Sequence, residues 1–188
     1  MYTKIGTIET ERLVLKVANE LFASIILNYF LRNKEFLNKW EPNKKEDFYT
    51  LDHCKKALNR DLHAMNQGDI FKVWIFKKTD RTLEKTIGSI ILDNIIWGDI
   101  KSCHLGYRLD KDEINNGYIT EGLKAIIDFA FNELKLHRIE AYIMPRNIRS
   151  LKVARKLNFY EEGIAREYIR INRKWEDHKR MVLLNNKK

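Results

Sequence analysis

Between Thr7 and Val17 apolar and polar residues alternate, with Leu13, Leu15 and Val17 set against Arg12, Val14 and Lys16. A period of two predicts a strand with one buried face. From Asn19 to Asn33 the spacing lengthens: Leu21, Phe22, Ile25, Ile26, Tyr29 and Phe30 mark the apolar stripe of a helix. Phe36, Leu37 and Trp40 lead on to Pro42, which stops any helix, and Asn43 to Phe48 reads as a charged loop. Leu51, Cys54, Leu58, Leu62 and Met65 predict a second helix that ends at Gly68. Strand formers then fill Ile70 to Lys77, and Thr79 to Thr82 reads as a turn. A further strand over Thr86 to Trp97 turns at Gly98-Asp99 into one ending at Leu109, which makes an antiparallel meander.

The stretch from Cys103 to Phe159 organises the rest. A strand to Leu109 meets a polar loop containing Asn115, Asn116 and Gly117. Then Ile119, Leu123, Ile126, Ile127, Ala130, Phe131 and Leu134 form a helical stripe, and Arg138 to Ile143 reads as a strand. Strand, helix, strand predicts a parallel pair with a right-handed crossover. A short helix begins near Asn147, with Leu151, Ala154 and Leu157 on its apolar face and Asn147 as N-cap, placing Ser150 at N3. Glu162 to Ile171 and Glu176 to Leu184 predict a last hairpin around Asn172-Arg173-Lys174, and Asn185 to Lys188 a frayed tail. The whole reads as one α+β domain over residues 1–188, with a mixed, mostly antiparallel sheet flanked by helices.

Composition narrows the classes. At 188 residues, 44% hydrophobic and 32% charged, the chain fits a globular domain with a sizeable core. No apolar run is long enough to span a bilayer, and MYTKIGTIETERL lacks the apolar centre of a signal peptide, so a cytoplasmic protein without membrane contact is expected. Cys54, Cys103 and the five histidines lack metal-ligand spacing, so no metal site is expected. The net charge of +9 is spread along the chain. It suits a solubilising surface, an anionic cofactor or an acidic protein surface; nucleic acid, which would bind with steeply salt-dependent affinity, is not expected as a partner.

On residues alone, Asn-Asn-Gly ahead of a helix is either a plain turn or an anion site, because first-turn N–H groups have no intrahelical partner and Gly117 admits a bulky phosphate. An ordered set of motifs decides for the second. TERLVL (Thr10 to Leu15), LGYRLD (Leu105 to Asp110), GYITEGL (Gly117 to Leu123), HRIEAYIMPRNIRS (His137 to Ser150), KLNFYEEG (Lys156 to Gly163) and RKWEDH (Arg173 to His178) cover nearly the whole chain. Together they resemble the GNAT superfamily of N-acetyltransferases, in particular its ribosomal-protein alanine N-acetyltransferase branch.

The resemblance implies a sheet splayed open between the strands ending near Leu109 and Ile143, with acetyl-coenzyme A in the split. Arg108 and Leu109 would pair with the pantetheine arm, and Ile114, Asn115, Asn116, Gly117, Tyr118, Ile119 and Thr120 would hold the pyrophosphate. Asn147 would hold the arm, Ser150 would face the thioester sulfur, and Arg155 and Lys156 could reach the phosphates. Ile114, Asn115 and Ile119 depart from the usual loop pattern, Q/R-x-x-G-x-G/A, which predicts retained but weakened binding. Asn158 and Arg173 stand at positions where glycine is usual and read as left-handed turn residues.

The implied reaction is direct transfer of acetyl to an amine, most readily the N-terminal α-amine of a protein such as a ribosomal protein. Ser150 is the candidate near the thiol, and a backbone N–H near Leu109 the oxyanion donor. Glu140 is taken as the catalytic base from a field that includes Glu41, Glu167 and His104. Trp40 and Glu41 are the candidates for the acceptor site. A small amine acceptor (polyamine, amino acid or antibiotic) and a module that binds coenzyme A or a partner without catalysis remain as alternatives. The protein would act as a monomer or homodimer.

Overall fold

The alternating segment near the N-terminus is two strands. In a computed structural model describing residues 6–186, β1 (Thr7–Glu9) and β2 (Leu13–Lys16) pair antiparallel. Thr10 causes the break: its amide donates to the Leu13 carbonyl at 3.0 Å and its Oγ1 accepts from the Leu13 amide at 3.1 Å, closing a tight turn. Residues 1–5, and Lys187 and Lys188 of the expected tail, lie outside the described residues.

The remaining elements follow the periodicities. Helix α1 (Ala23–Leu37) is preceded by a 3₁₀ turn, where Asn19 accepts from the Leu21 amide, and it runs through Phe36 and Leu37. Helix α2 (Leu51–Gln67) starts on Thr50, whose side chain accepts from the His53 amide, and stops at Gly68 in a left-handed conformation. Strands β3 (Phe71–Lys77), β4 (Thr86–Ile96) and β5 (Ser102–Leu109) form the expected meander. Then come α3 (Tyr118–Asn132), β6 (Arg138–Ile143), α4 (Ile148–Lys156), β7 (Tyr160–Ile171) and β8 (Lys174–Leu184).

The eight strands form one sheet in the order β1-β2-β3-β4-β5-β6-β8-β7. Only β5 and β6 pair in parallel. The last hairpin therefore inserts its second strand beside β6 and leaves β7 at the edge. Asn158 (φ 64°) and Arg173 (φ 69°) do occupy the left-handed region, at the end of α4 and in the β7–β8 turn.

The sheet is covered on both faces. On one, Leu123, Ile126 and Ala130 of α3 pack with Leu13, Leu15, Ile75, Ile90, Ile139 and Ala141. On the other, Ile26, Tyr29 and Leu37 of α1 and Cys54 and Leu58 of α2 pack on Trp74 and Phe76. Each large side chain so buried contributes about 1.5–3 kcal/mol.

One close approach sets the position of β5. A Cβ built on Gly88 of β4 would lie 2.3 Å from the Arg108 carbonyl oxygen and 3.3 Å from its carbon. Backbone cannot yield as a flexible side chain would, so any larger residue moves the end of β5. Gly88→Ala is expected to cost about 1–3 kcal/mol, read as a lower denaturant midpoint at unchanged slope.

Candidate functional site

Pairing between β5 and β6 spans only Ser102 with Arg138, Cys103 with Ile139 and His104 with Glu140. Beyond that the strands diverge, and a cleft of about 700 Å³ opens between them. Its walls include Tyr107, Arg108 and Leu109 of β5, Tyr142 and Ile143 of β6, and the N-terminal ends of α3 and α4. An inner edge of a sheet left without its neighbour presents N–H and C=O groups to whatever enters. Tyr107 helps to hold the wedge: its hydroxyl donates to the Ser150 carbonyl at 3.1 Å, fixing α4 across the gap. Burial pushes that hydroxyl's pKa up to about 12, so it stays protonated as a donor.

One end of the cleft has the backbone geometry that suits an anion. After β5, Asp110 is fully buried; its carboxylate accepts from Arg32 at 2.6 Å and from the Asp112 amide at 3.2 Å. The Asn33 side chain accepts from the Lys111 amide, so α1 anchors the start of the loop. The loop then turns through two left-handed residues, Asn115 (φ 66°) and Gly117 (φ 78°), into α3. Gly117 offers no side chain to cap the helix, so first-turn N–H groups remain available.

Arg12 clamps this loop from behind. Its Nη1 donates to the Asn116 carbonyl at 3.1 Å, its Nε pairs with Glu121 at 2.7 Å, and its guanidinium lies 4.7 Å from the Tyr118 ring centroid. Thr10 donates to the same Glu121 carboxylate at 2.6 Å. The TERL motif thus serves the loop from the other end of the chain.

The residues singled out in the sequence divide clearly. Arg108, Leu109, Ile114, Asn115, Gly117, Ile119, Thr120, Asn147 and Ser150 line the cleft, as do Trp40 and Glu41. Ile119 also sits in the core, 9% exposed. Asn147 caps α4, accepting from the Ser150 amide at 3.2 Å. Asn116, Tyr118 and Arg155 do not line the cleft. Asn116 turns its carbonyl to Arg12, Tyr118 lies beneath that guanidinium, and Arg155 stands 3.8 Å from Glu161. The α4 cations that do line it are Arg149 and Lys152, which the sequence reading passed over. Helical geometry would have found them: positions 149, 152 and 153 share a face with the mouth, whereas 155 points well away.

The side of the cleft that carries Trp40 and Glu41 has a different set. Glu41 pairs with Arg108, and Lys44 lies 3.8 Å from Glu41. Arg146, in the β6–α4 connection, donates to the Lys39 carbonyl at 3.1 Å, pairs with Glu176 at 3.3 Å and lies 5.2 Å from the Trp40 ring centroid. Asn172 in the β7–β8 turn donates to the Asn38 carbonyl at 2.8 Å. A row of rings runs along this face, His104 to Tyr142 (5.1 Å), Tyr142 stacked on Tyr168 (4.5 Å), and Tyr168 to His178 (5.5 Å).

Glu140 is a poor fit to the role of base. It does not line the cleft; its carboxylate accepts from Arg138 Nε at 2.6 Å and from the Tyr142 hydroxyl at 2.8 Å. Burial alone would raise its pKa, but these hydrogen bonds outweigh burial and hold it below the usual range. Burial pushes the Cys103 thiol up to about 12, away from the thiolate form that a nucleophile needs.

The sequence matches the acetyltransferase (GNAT) domain over residues 12–160. It is 37% identical over 153 residues to the probable N-acetyltransferase YjcK of Bacillus subtilis, covering 81% of this chain and 83% of that one. It is 30% identical over 169 residues to the [ribosomal protein uS5]-alanine N-acetyltransferase of Escherichia coli, covering 90% and 86%. The crystal structure of ribosomal-protein-S5-alanine acetyltransferase from Vibrio fischeri superposes with a TM-score of 0.90 at 32% identity, covering 96% of this chain and 97% of that one.

The Glu140 network should show in the pH dependence of stability. Its folded pKa is depressed, so its contribution is present above the unfolded value of about 4.3 and is lost as pH falls through the folded pKa. Urea midpoints between pH 3 and 7 are expected to fall more gently on acidification in Glu140→Gln than in the parent.

Proposed function

The chain belongs to the GNAT family of acetyltransferases, an enzyme family that uses acetyl-CoA, and on that premise we propose that it acetylates the N-terminal α-amine of a protein, with a ribosomal protein as the first candidate. The observation that carries this reading is the likeness to the uS5-alanine enzymes along almost the entire chain, which takes in the acceptor-side segments as well as the cofactor loop. The site agrees with it. Among the described residues, the face of β6 and β8 beside the cleft carries the ring row instead of a packed helix, which leaves room for the end of an extended peptide.

The cleft suits the co-substrate in shape and charge. The pyrophosphate fits the left-handed turn and N–H groups at the start of α3, with Arg149 and Lys152 adding positive charge at the mouth. The open edge of β5 offers hydrogen bonds to the amide-bearing arm, as an added strand would. The amine attacks the thioester carbonyl carbon. A backbone N–H near Leu109 stabilises charge on the oxygen, and the Ser150 hydroxyl donates to the departing sulfur.

An α-amine suits a site with modest basic help. Its pKa of about 8 leaves roughly a tenth neutral at pH 7, whereas a lysine side chain at about 10.4 needs about a hundredfold more.

The test is incubation with acetyl-CoA and three acceptors: a peptide with a free N-terminal alanine, the same peptide blocked at its N-terminus but carrying lysine, and spermidine. Mass spectrometry is expected to show one added acetyl group on the free α-amine. Transfer to spermidine or lysine alone would overturn the reading. Ser150→Ala is expected to lower kcat about 10²-fold while the affinity for coenzyme A, measured calorimetrically, stays within about twofold.

A further inference from the structure

The site as described lacks a group to take the proton that the amine must lose. Glu140 is held by Arg138 and Tyr142, and Glu41 by Arg108. His104 stands 3.9 Å from Asp93 and, like Glu140, does not line the cleft. Asp93 does line it, but at the floor, opposite His104, where β5 and β6 are still paired.

Among the residues that line the cleft, one buried titratable side chain is left over. His178 on β8 is 4% exposed and lines the cleft. Its neighbour Lys179 pairs with Ile143, the last residue of β6. His178 therefore lies level with the chain's exit from β6 toward Asn147 and Ser150, where the cleft is open.

Its tautomer follows from its one hydrogen bond. Nδ1 lies 3.0 Å from the Glu176 carbonyl oxygen. A carbonyl can only accept, so Nδ1 carries the proton and Nε2 of the neutral ring carries a lone pair. Among the described residues no side chain or carbonyl hydrogen-bonds to Nε2, and it is not a sealed, unpartnered atom of the core.

We propose that Nε2 of His178 accepts the proton of the acceptor amine, directly or through one water; this rests on the acetyl-transfer reading above. The amine nitrogen forms its bond to the acetyl carbon, the carbon–sulfur bond breaks, and sulfur leaves with the electron pair. The proton passes from nitrogen to Nε2, the imidazolium releases it to solvent, and the thiolate is protonated to free coenzyme A.

The surroundings keep the ring neutral and ready. Burial lowers its pKa from the ordinary 6.5, opposed in part by the Glu176 carbonyl. The charged groups facing it are Glu176 and Asp177 on its own strand and Arg146 from the β6–α4 connection, with the Tyr168 ring on β7. Asp177 is engaged by Arg166 at 2.9 Å and by the Glu167 amide at 2.9 Å, and Glu176 by Arg146, so neither carboxylate is free to fix a charged imidazole.

The experiment compares the parent and His178→Ala on the alanine-led peptide. The variant is expected to lose about 10²-fold or more in kcat, with KM for acetyl-CoA within about twofold, and added imidazole should restore part of the loss. In the parent, log kcat/KM should fall with unit slope below the amine's own pKa of about 8 and steepen towards a slope of about two below about pH 6.5; the second unit should vanish in the variant. Nitrogen-15 NMR of the intact parent should show the Nδ1–H tautomer at pH 7, a reading that needs no variant to fold. Full activity in His178→Ala, loss without imidazole rescue, or an Nε2–H or charged ring at pH 7 would overturn the assignment. A parent that acetylates no amine would overturn the function reading and this one with it.

Discussion

A parallel strand pair that stops after three residue pairs is the constraint on which the molecule depends. Parallel pairs are normally continuous and covered on both faces. Here β5 and β6 separate after His104 and Glu140, and the energetic cost of leaving two inner edges unpaired is met by what surrounds them. Gly88 brings β4 hard against β5 at Arg108, Tyr107 ties β5 to α4, and β8 holds β6 on its far side over its whole length. Each contact keeps the strands apart as well as in place.

The two faces of the split differ in chemical character because they are built from different parts of the chain. The α3 and α4 ends bring N–H groups and the Arg149 and Lys152 cations, suited to phosphate. The opposite face brings rings and paired charges, with Glu41 on Arg108 and, just behind it, Glu176 on Arg146. Paired carboxylates are weak bases, so an imidazole whose Nδ1 is occupied and whose Nε2 is not stands apart among them.

Much of this was legible in the sequence. The stripe from Ile119 to Phe131, the meander and the cap at Asn147 follow from local rules, whereas the left-handed turns at Asn158 and Arg173 follow from the family resemblance. The misses were tertiary. Nothing local in Thr7 to Val17 announces that Thr10 folds the segment on itself, and no periodicity places β8 inside β7. Glu140 alternates on its strand as a base might, but its partners Arg138 and Tyr142 point to the same face and neutralise it, which only the register of a strand of known sidedness reveals. His178 was read as part of a motif, and its depth and free nitrogen depend on how the hairpin docks beside β6.

The two hydrogen bonds that tie the β6–α4 connection and the β7–β8 turn to the segment after α1 carry a last consequence. Arg146 and Asn172 reach the stretch before Glu41 by donating to the backbone carbonyls of Lys39 and Asn38. A carbonyl is supplied by every amino acid, so the residues of that stretch can be exchanged without undoing these two bonds. The segment can hold its place while its side chains drift, so the wall of the cleft at Trp40 and Glu41 can change in small steps while its backbone stays fixed.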